Sequence, residues 1–95
     1  MQPPRDSKYL AFIRTLPCAI CGAWRVEAAH TGPHGLGQKS SDYTAIPLCQ
    51  SHHRTGKAAH HVLGRRFAEH HGLDLPALTA RLNQCYLLAS GRTAS

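Results

Sequence analysis

The chain has 95 residues, enough for one small domain with a modest core that a bound metal ion can staple. Its 11 Lys and Arg residues outnumber its 5 Asp and Glu residues, so the formal net charge of +6 favours nucleic acid, DNA above all, as a partner. No apolar run is long enough for a secretory signal or a membrane span, which predicts a cytoplasmic protein with no membrane partner and reduced cysteines.

The first half of the chain predicts one helix and two strands. Residues 6–16 have the pattern of a short helix that is capped by its first or second residue and ended by a proline. Residues 25–30 and 44–48 are predicted to be short strands. The Gly-rich polar loop of residues 31–42 lies between them, and a loop of that length in so small a domain usually carries function.

The second half of the chain is predicted to be helical. Apolar residues recur every three or four positions after Cys49, and Gly72 ends this segment. The last helix covers about residues 75–90, where Cys85 lies on the apolar stripe and is expected to be buried. The chain is therefore predicted to be a single small α+β domain over 1–95, with a core of about 15–72 and flexible tails at 1–5 and 91–95.

Four residues have the spacing of a closed zinc site. Cys18 and Cys21 are separated by two residues and followed by a glycine, and Cys49 and His52 repeat that spacing. Two intervening residues let the chain curl so that both side chains face one ion, and Cys₃His is a common tetrahedral zinc set. A redox function for the first pair is the alternative, but no βαβ pattern surrounds it. The sequence therefore predicts a structural Zn²⁺ on these four residues, with Trp24 covering the site.

Five stretches of the sequence together resemble the HNH nucleases, whose core is the ββα-metal fold. The stretches are PCAIC, EAAH, GLGQKSSD, IPLCQSHH and HVLGRRF, and they span about fifty residues. The chain is most similar to the branch of small phage and bacterial proteins related to the recombination-enhancement-function nuclease. The resemblance implies a ββα-metal core stapled by the zinc, with one helix before it and one after it.

Position by position, the resemblance also implies a catalytic site. His30 matches the general base that activates water, and Asp42 stands where the residue that orients this base is found, although an Asp there also suits a turn cap. His53 matches a ligand of the catalytic Mg²⁺ or Mn²⁺. His61 matches the second ligand, and the alternatives for that position are His60 and Lys57.

Two features of this sequence depart from the HNH pattern. Many HNH proteins place a metal-binding Asp or His directly before the base, where this chain has Ala29. The two helix ligands are normally four residues apart, whereas His53 and His61 are eight apart, which is about 12 Å in an unbroken helix. If both bind one ion, the intervening RTGK must therefore form a loop, with Gly56 as the residue that breaks the helix.

Together these features predict a metal-dependent endonuclease that hydrolyses DNA phosphodiester bonds with little sequence specificity. His34 lies in the Gly-rich loop, where it is a further candidate to contact phosphate or metal. Two alternatives are a non-catalytic zinc-finger module that binds nucleic acid and a small domain whose last helix docks on a protein partner. The residues expected to contact the phosphate backbone are Lys39, Arg54, Arg65 and Arg66.

Overall fold

Two short antiparallel strands form the centre of the protein, which is seen in a computed structural model that describes residues 5–32 and 41–89. Strand β1 is Val26–His30 and strand β2 is Ala45–Cys49, in good agreement with the predicted segments. Their register pairs Val26 with Cys49 and His30 with Ala45. Cys49 and His30 therefore lie at opposite ends of the sheet.

Side chains alternate between the two faces of the sheet, and each face covers its own apolar cluster. Glu27 and Ala29 share one face of β1, whereas Ala28 and His30 share the other. The first cluster contains Ala29 with the buried residues Ile46, Leu48 and Phe67. The second cluster contains Ala45 with Tyr9, Ile13 and Tyr86, and Ala28 packs against it.

Helix α1, Ser7–Ile13, packs on the second cluster, and Asp6 caps its N-terminus. The Asp6 carboxylate accepts a hydrogen bond from the Tyr9 backbone N–H at 3.0 Å, which satisfies one of the free donors of the first turn. The helix ends before the predicted residue 16. Its last turn has 3₁₀-type hydrogen bonds, because the N–H groups of Thr15 and Leu16 donate to carbonyls three residues earlier.

The segment that follows β2 is helical but broken. Residues Ser51–Thr55 form a single π-helical turn, and helix α2 begins only at His60 and runs to Leu63. Gly56 separates the two. A Cβ at Gly56 would lie 2.6 Å from the Ser51 carbonyl oxygen, so this turn closes tightly only around a glycine. The predicted break at Gly56 is confirmed, but the first two residues of the predicted RTGK loop, Arg54 and Thr55, belong to the π-helical turn.

A second break, which the periodicity does not predict, follows α2. Gly64 has a φ of 56°, in the left-handed region that favours glycine, and one 3₁₀ turn spans Gly64–Arg66. Helix α3, Phe67–His71, then ends at Gly72, whose φ is 68°. Gly72 is the predicted end of this segment.

Helix α4, Leu75–Ala89, packs against both clusters. Its buried side is different from the predicted stripe, because Cys85 is exposed and the next residue, Tyr86, is 7% exposed. Tyr86 lies four residues after Leu82, and its ring contacts that of Tyr9 edge to face at 5.0 Å. The prediction of a buried Cys85 is therefore wrong.

The described part of the chain is a small α+β structure, and this part of the fold prediction is confirmed. No helix in residues 5–32 and 41–89 has the length and apolar character needed to cross a lipid bilayer. Arg5, which was assigned to a loose tail, is tied to the body of the protein by a contact with Asp42. The remaining residues of the two predicted tails lie outside the described residues.

Candidate metal centre and histidine site

The four predicted zinc ligands meet at the end of the sheet where β2 leaves it. The ligand atoms of Cys18, Cys21, Cys49 and His52 all lie within 4.8 Å of one another. The turn that carries the first two cysteines is closed by a hydrogen bond from the Gly22 N–H to the Cys18 carbonyl at 2.9 Å. These residues form a Cys₃His group that can hold a metal ion, as the spacing predicts.

The separations within this group fit a tetrahedral zinc ion. Zn–S bonds of about 2.3 Å and Zn–N bonds of about 2.0 Å require S···S edges of about 3.8 Å and S···N edges of about 3.5 Å. The sulfurs of Cys21 and Cys49 are 3.8 Å apart. The His52 Nδ1 atom lies 3.3 Å from the Cys49 sulfur and 3.8 Å from the Cys18 sulfur. These three separations are therefore close to the edges of such a tetrahedron.

The Cys18 side chain is prepared for metal binding by its backbone surroundings. Burial on its own raises the pKa of this thiol, but backbone N–H groups of Cys21, Cys49 and Ile20 donate to the sulfur and lower its pKa to about 6. The thiolate, which is the form that binds metal, is therefore favoured at neutral pH. Trp24 leaves 69% of its surface exposed, so it does not cover this site as predicted.

The second feature is a hydrogen-bonded pair at the other end of the sheet, where β1 ends. The Nε2 atom of His30 lies 2.9 Å from the Oδ1 atom of Asp42, a contact that the predicted orienting role requires. His30 is the last residue of β1, and Asp42 begins a 3₁₀ turn, Asp42–Thr44, that leads into β2. Ser41 caps that turn, so Asp42 does not serve as its cap.

Asp42 is held in place by the N-terminal segment. It is 4% exposed, and its Oδ1 atom also accepts a hydrogen bond from the Arg5 guanidinium at 2.9 Å. Its Oδ2 atom accepts one from the Asp6 backbone N–H at 2.7 Å. Burial raises the pKa of Asp42, but the contacts from His30, Asp6 and Arg5 outweigh it and hold the pKa below its ordinary value. The carboxylate is therefore ionised at neutral pH.

An ionised Asp42 fixes which nitrogen of His30 carries the proton. A carboxylate only accepts hydrogen bonds, so the Nε2 atom of His30 must carry the hydrogen that it donates. In the neutral ring the lone pair then belongs to Nδ1, which makes no hydrogen bond to any described residue. The pair thus presents a basic ring nitrogen that is not occupied by residues 5–32 or 41–89.

A pocket of about 730 Å³ lies beside this pair. His30 lines it from the sheet, and His60 and Arg65 line it from the helical segment. Neither His53 nor His61 is among the described residues in its wall. The other residues that line it are Thr31, Gly32, Gly64, Ala68 and Leu75.

His53 belongs to a third group, which lies against the other face of β1. Its Nδ1 atom is 2.7 Å from Oε1 of Glu27, and Arg54 donates two hydrogen bonds to the same carboxylate at 2.9 and 2.6 Å. The hydrogen bond from His53 and the contacts with Arg54 lower the pKa of Glu27. The ring of His61 lies 4.6 Å from that of His53, centre to centre.

The structure distinguishes the two neighbouring histidines of α2. His61 lies beside His53, whereas the ring of His60 packs edge to face on Phe67 at 5.2 Å. Position 61 is therefore the one that the loop around Gly56 brings to His53. His71 supports this loop by a 2.8 Å hydrogen bond between its Nε2 atom and the Ala58 carbonyl.

The remaining predicted residues are spread around these groups. Arg65 and Arg66 are exposed, with Arg65 at the pocket, and Arg54 is exposed but paired with Glu27. Lys39 and His34 lie outside the described residues. The sequence does not predict two of the contacting residues, which are Glu27 beside His53 and Arg5 beside Asp42.

Comparison with known proteins places the chain in a family. A family model described as a protein of unknown function, DUF968, matches residues 2–89. The chain belongs to the DUF968 family. This DUF968 chain is also similar to the uncharacterized protein YdfU of Escherichia coli strain K12, with 39% identity over 49 residues, which are 48% of the chain. The aligned part is 14% of YdfU, so the DUF968 chain spans a small part of that relative. No solved structure matches the chain.

Proposed function

We propose that this DUF968 protein is a metal-dependent endonuclease of the HNH type that hydrolyses DNA phosphodiester bonds. The observation that carries the proposal is the 2.9 Å contact between His30 and Asp42 beside an open pocket. A histidine whose tautomer is fixed by a buried carboxylate, with its other nitrogen available, is the arrangement of a general base. The resemblance to HNH nucleases assigns the same two residues to that role.

In this proposal His30 acts on the water that attacks phosphorus. Its Nδ1 atom takes the proton of the water, and the ring becomes an imidazolium. The negative charge of Asp42 stabilises that cation through the Nε2–H hydrogen bond. Positioned general bases contribute about 10²- to 10⁴-fold to the rates of such reactions.

In this proposal the cation of the reaction is assigned to His53 and His61, which lie beside each other but do not line the pocket next to His30. Their rings are 4.6 Å apart, and the Nδ1 atom of His53 is already bonded to Glu27, so its Nε2 atom is the one left to bind a metal. A divalent ion held by these residues would supply positive charge to the phosphate and to the leaving oxygen. Because imidazole ligands suit Ni²⁺ and Zn²⁺ better than Mg²⁺, we expect Mg²⁺ to be a weaker activator than Ni²⁺.

The charge distribution supports DNA as the substrate. The chain carries a formal net charge of +6, and Arg65 lines the pocket that His30 faces. Arg66 is the exposed neighbour of Arg65. Arginine side chains bind phosphate whatever the base sequence, so phosphate contacts at these positions would suit a nuclease of low sequence specificity.

The test is cleavage of supercoiled plasmid by zinc-loaded protein with Mg²⁺, Mn²⁺ or Ni²⁺, compared with protein to which no second ion is added. We expect nicking that needs the added ion and that is lost in His30→Ala. His70→Ala is the matched control, because His70 is exposed on α3 and its ring contacts that of His71, which is assigned to neither group. If neither plasmid nor single-stranded DNA is cut with any of these ions, the proposal is wrong.

A second candidate is a non-catalytic zinc module that binds nucleic acid, and one observation favours it. Ala29 occupies the position of a usual HNH metal ligand and is fully buried, so nothing there can reach a cation. The number of metal ions per chain separates the two functions. A nuclease binds a second ion that His53→Ala removes, whereas the zinc module holds one ion even with excess Ni²⁺.

A further inference from the structure

We propose that Glu27 is a positioning residue that prepares His53 to bind a divalent cation. This inference rests on the cation site proposed above for His53 and His61. It adds a carboxylate that the HNH resemblance does not assign and that stands on a strand 26 positions before the histidine it contacts.

The first observation is the contact itself. Oε1 of Glu27 lies 2.7 Å from Nδ1 of His53, a short distance typical of a hydrogen bond to a charged acceptor. A carboxylate cannot donate, so His53 donates from Nδ1 and keeps its lone pair on Nε2. Histidines that bind metals usually donate their second nitrogen to a carboxylate in this way, which fixes both the tautomer and the orientation of the ring.

The second observation is that Glu27 also binds the neighbouring cationic side chain. Arg54 donates to it through Nε at 2.9 Å and through a terminal nitrogen at 2.6 Å. The pair is neutral as a whole, so the guanidinium does not repel a cation at His53. Without the carboxylate, an unneutralised Arg54 would stand one residue from the metal ligand.

The third observation is the place of His61. Its ring lies 4.6 Å from that of His53 at a steep angle of 71°, and the side chain of His53 is only 14% exposed. His53 is thus held between the carboxylate on one side and the second imidazole on the other. Glu27 fixes the first side, so a cation shared by the two rings is bound through Nε2 of His53.

The experiment measures Ni²⁺ binding to zinc-loaded protein by calorimetry. The heat of Ni²⁺ binding at this site is the difference between the heats measured for the wild type and for His61→Ala. We expect Glu27→Gln to weaken this binding by about 10- to 100-fold, the range found when partners of metal-bound histidines are removed. Glu69→Gln is the matched control, since Glu69 is an exposed glutamate on α3 and its loss changes the net charge equally.

Arg54→Ala separates orientation of His53 from simple ion pairing. It removes the salt bridge of Glu27 but keeps the contact with His53, so we expect Ni²⁺ affinity at or above that of the wild type. Nitrogen-15 NMR of the cation-free protein gives an independent readout. We expect His53 to hold its proton on Nδ1 in the wild type and to exchange between tautomers in Glu27→Gln.

The inference is overturned if Glu27→Gln binds Ni²⁺ as the wild type does, or if Arg54→Ala is weakened as much as Glu27→Gln. One zinc per chain and an unchanged circular dichroism spectrum show that each variant is folded. Failure of the proposed function is seen separately. If the variants show the expected order of Ni²⁺ affinities but the wild type leaves DNA intact, the proposed nuclease activity is refuted and the proposed role of Glu27 still holds.

Discussion

Replacing Asp42 by asparagine tests the contact on which the candidate active site depends. The wild-type carboxylate accepts from His30 and Arg5 through one oxygen and from the Asp6 N–H through the other. An asparagine keeps one accepting oxygen, and its NH₂ group must face either the Asp6 N–H or the two side-chain donors. In at least one of these contacts, the NH₂ group of the asparagine therefore faces another donor at a buried position, and that hydrogen bond is lost.

The size of the effect follows from these contacts. A hydrogen bond to a charged group contributes about 1.5–3 kcal/mol. The Arg5 side chain is 41% exposed, so its ion pair adds no more than about 1 kcal/mol. We expect Asp42→Asn to lower the free energy of unfolding by about 3 kcal/mol, which corresponds to a fall in Tm of roughly 12–24 °C in a domain of this size.

The assay is urea and thermal unfolding at pH 7, followed by circular dichroism. Asp74→Asn is the matched control, because Asp74 accepts the Ala77 N–H at the start of α4 and asparagine caps helices equally well. The pKa of Asp42 is lowered in the folded protein, so its stabilisation is present above pH 4 and lost as the pH falls. The gap between wild type and Asp42→Asn should therefore close in acid. Equal stability of Asp42→Asn and Asp74→Asn at pH 7 would refute this reasoning.

Two further predictions concern the metal centre and the loop that carries α2. Removing zinc with a chelator, or replacing Cys49 by serine, should unfold the domain, because structural zinc contributes about 10–16 kcal/mol and a domain of 95 residues has a net stability of only about 5–14 kcal/mol. Folded protein without metal, seen by circular dichroism, would contradict this. Gly56→Ala should cost about 1–3 kcal/mol, because its Cβ would lie 2.6 Å from the Ser51 carbonyl oxygen and the turn must open. It should also weaken Ni²⁺ binding at His61, and unchanged values of both would show that the turn has room for a methyl group.

Residues whose partners are close in sequence, or whose spacing is set by a metal, could be predicted well. Cys18 and Cys21 form one half of the Cys₃His group, and Cys49 and His52 form the other, and tetrahedral coordination needs both. The break at Gly56 could also be predicted, because glycine disfavours a continuous helix and two residues eight apart on one helix are too distant to share an ion.

Contacts between residues that are far apart in the sequence and belong to no motif could not be predicted. Glu27 is a charged residue on a short strand, and no local pattern indicates that it contacts His53 and Arg54. Arg5 lies where a loose tail is expected, and its contact with Asp42 spans 37 positions. On α4, only tertiary packing decides that Tyr86 rather than Cys85 is buried.

Chemical rescue of His30→Ala by imidazole tests most directly that an imidazole at this position is the general base. Truncation of His30 opens its place toward a pocket of about 730 Å³, so free imidazole can enter. We predict that His30→Ala cuts plasmid in Mn²⁺ or Ni²⁺ at least about 100-fold more slowly than the wild type. We also predict that imidazole restores part of the rate in a saturable way, while the wild type does not respond. The account would be contradicted if His30→Ala without imidazole cut plasmid as fast as the wild type, or if neither protein cut it.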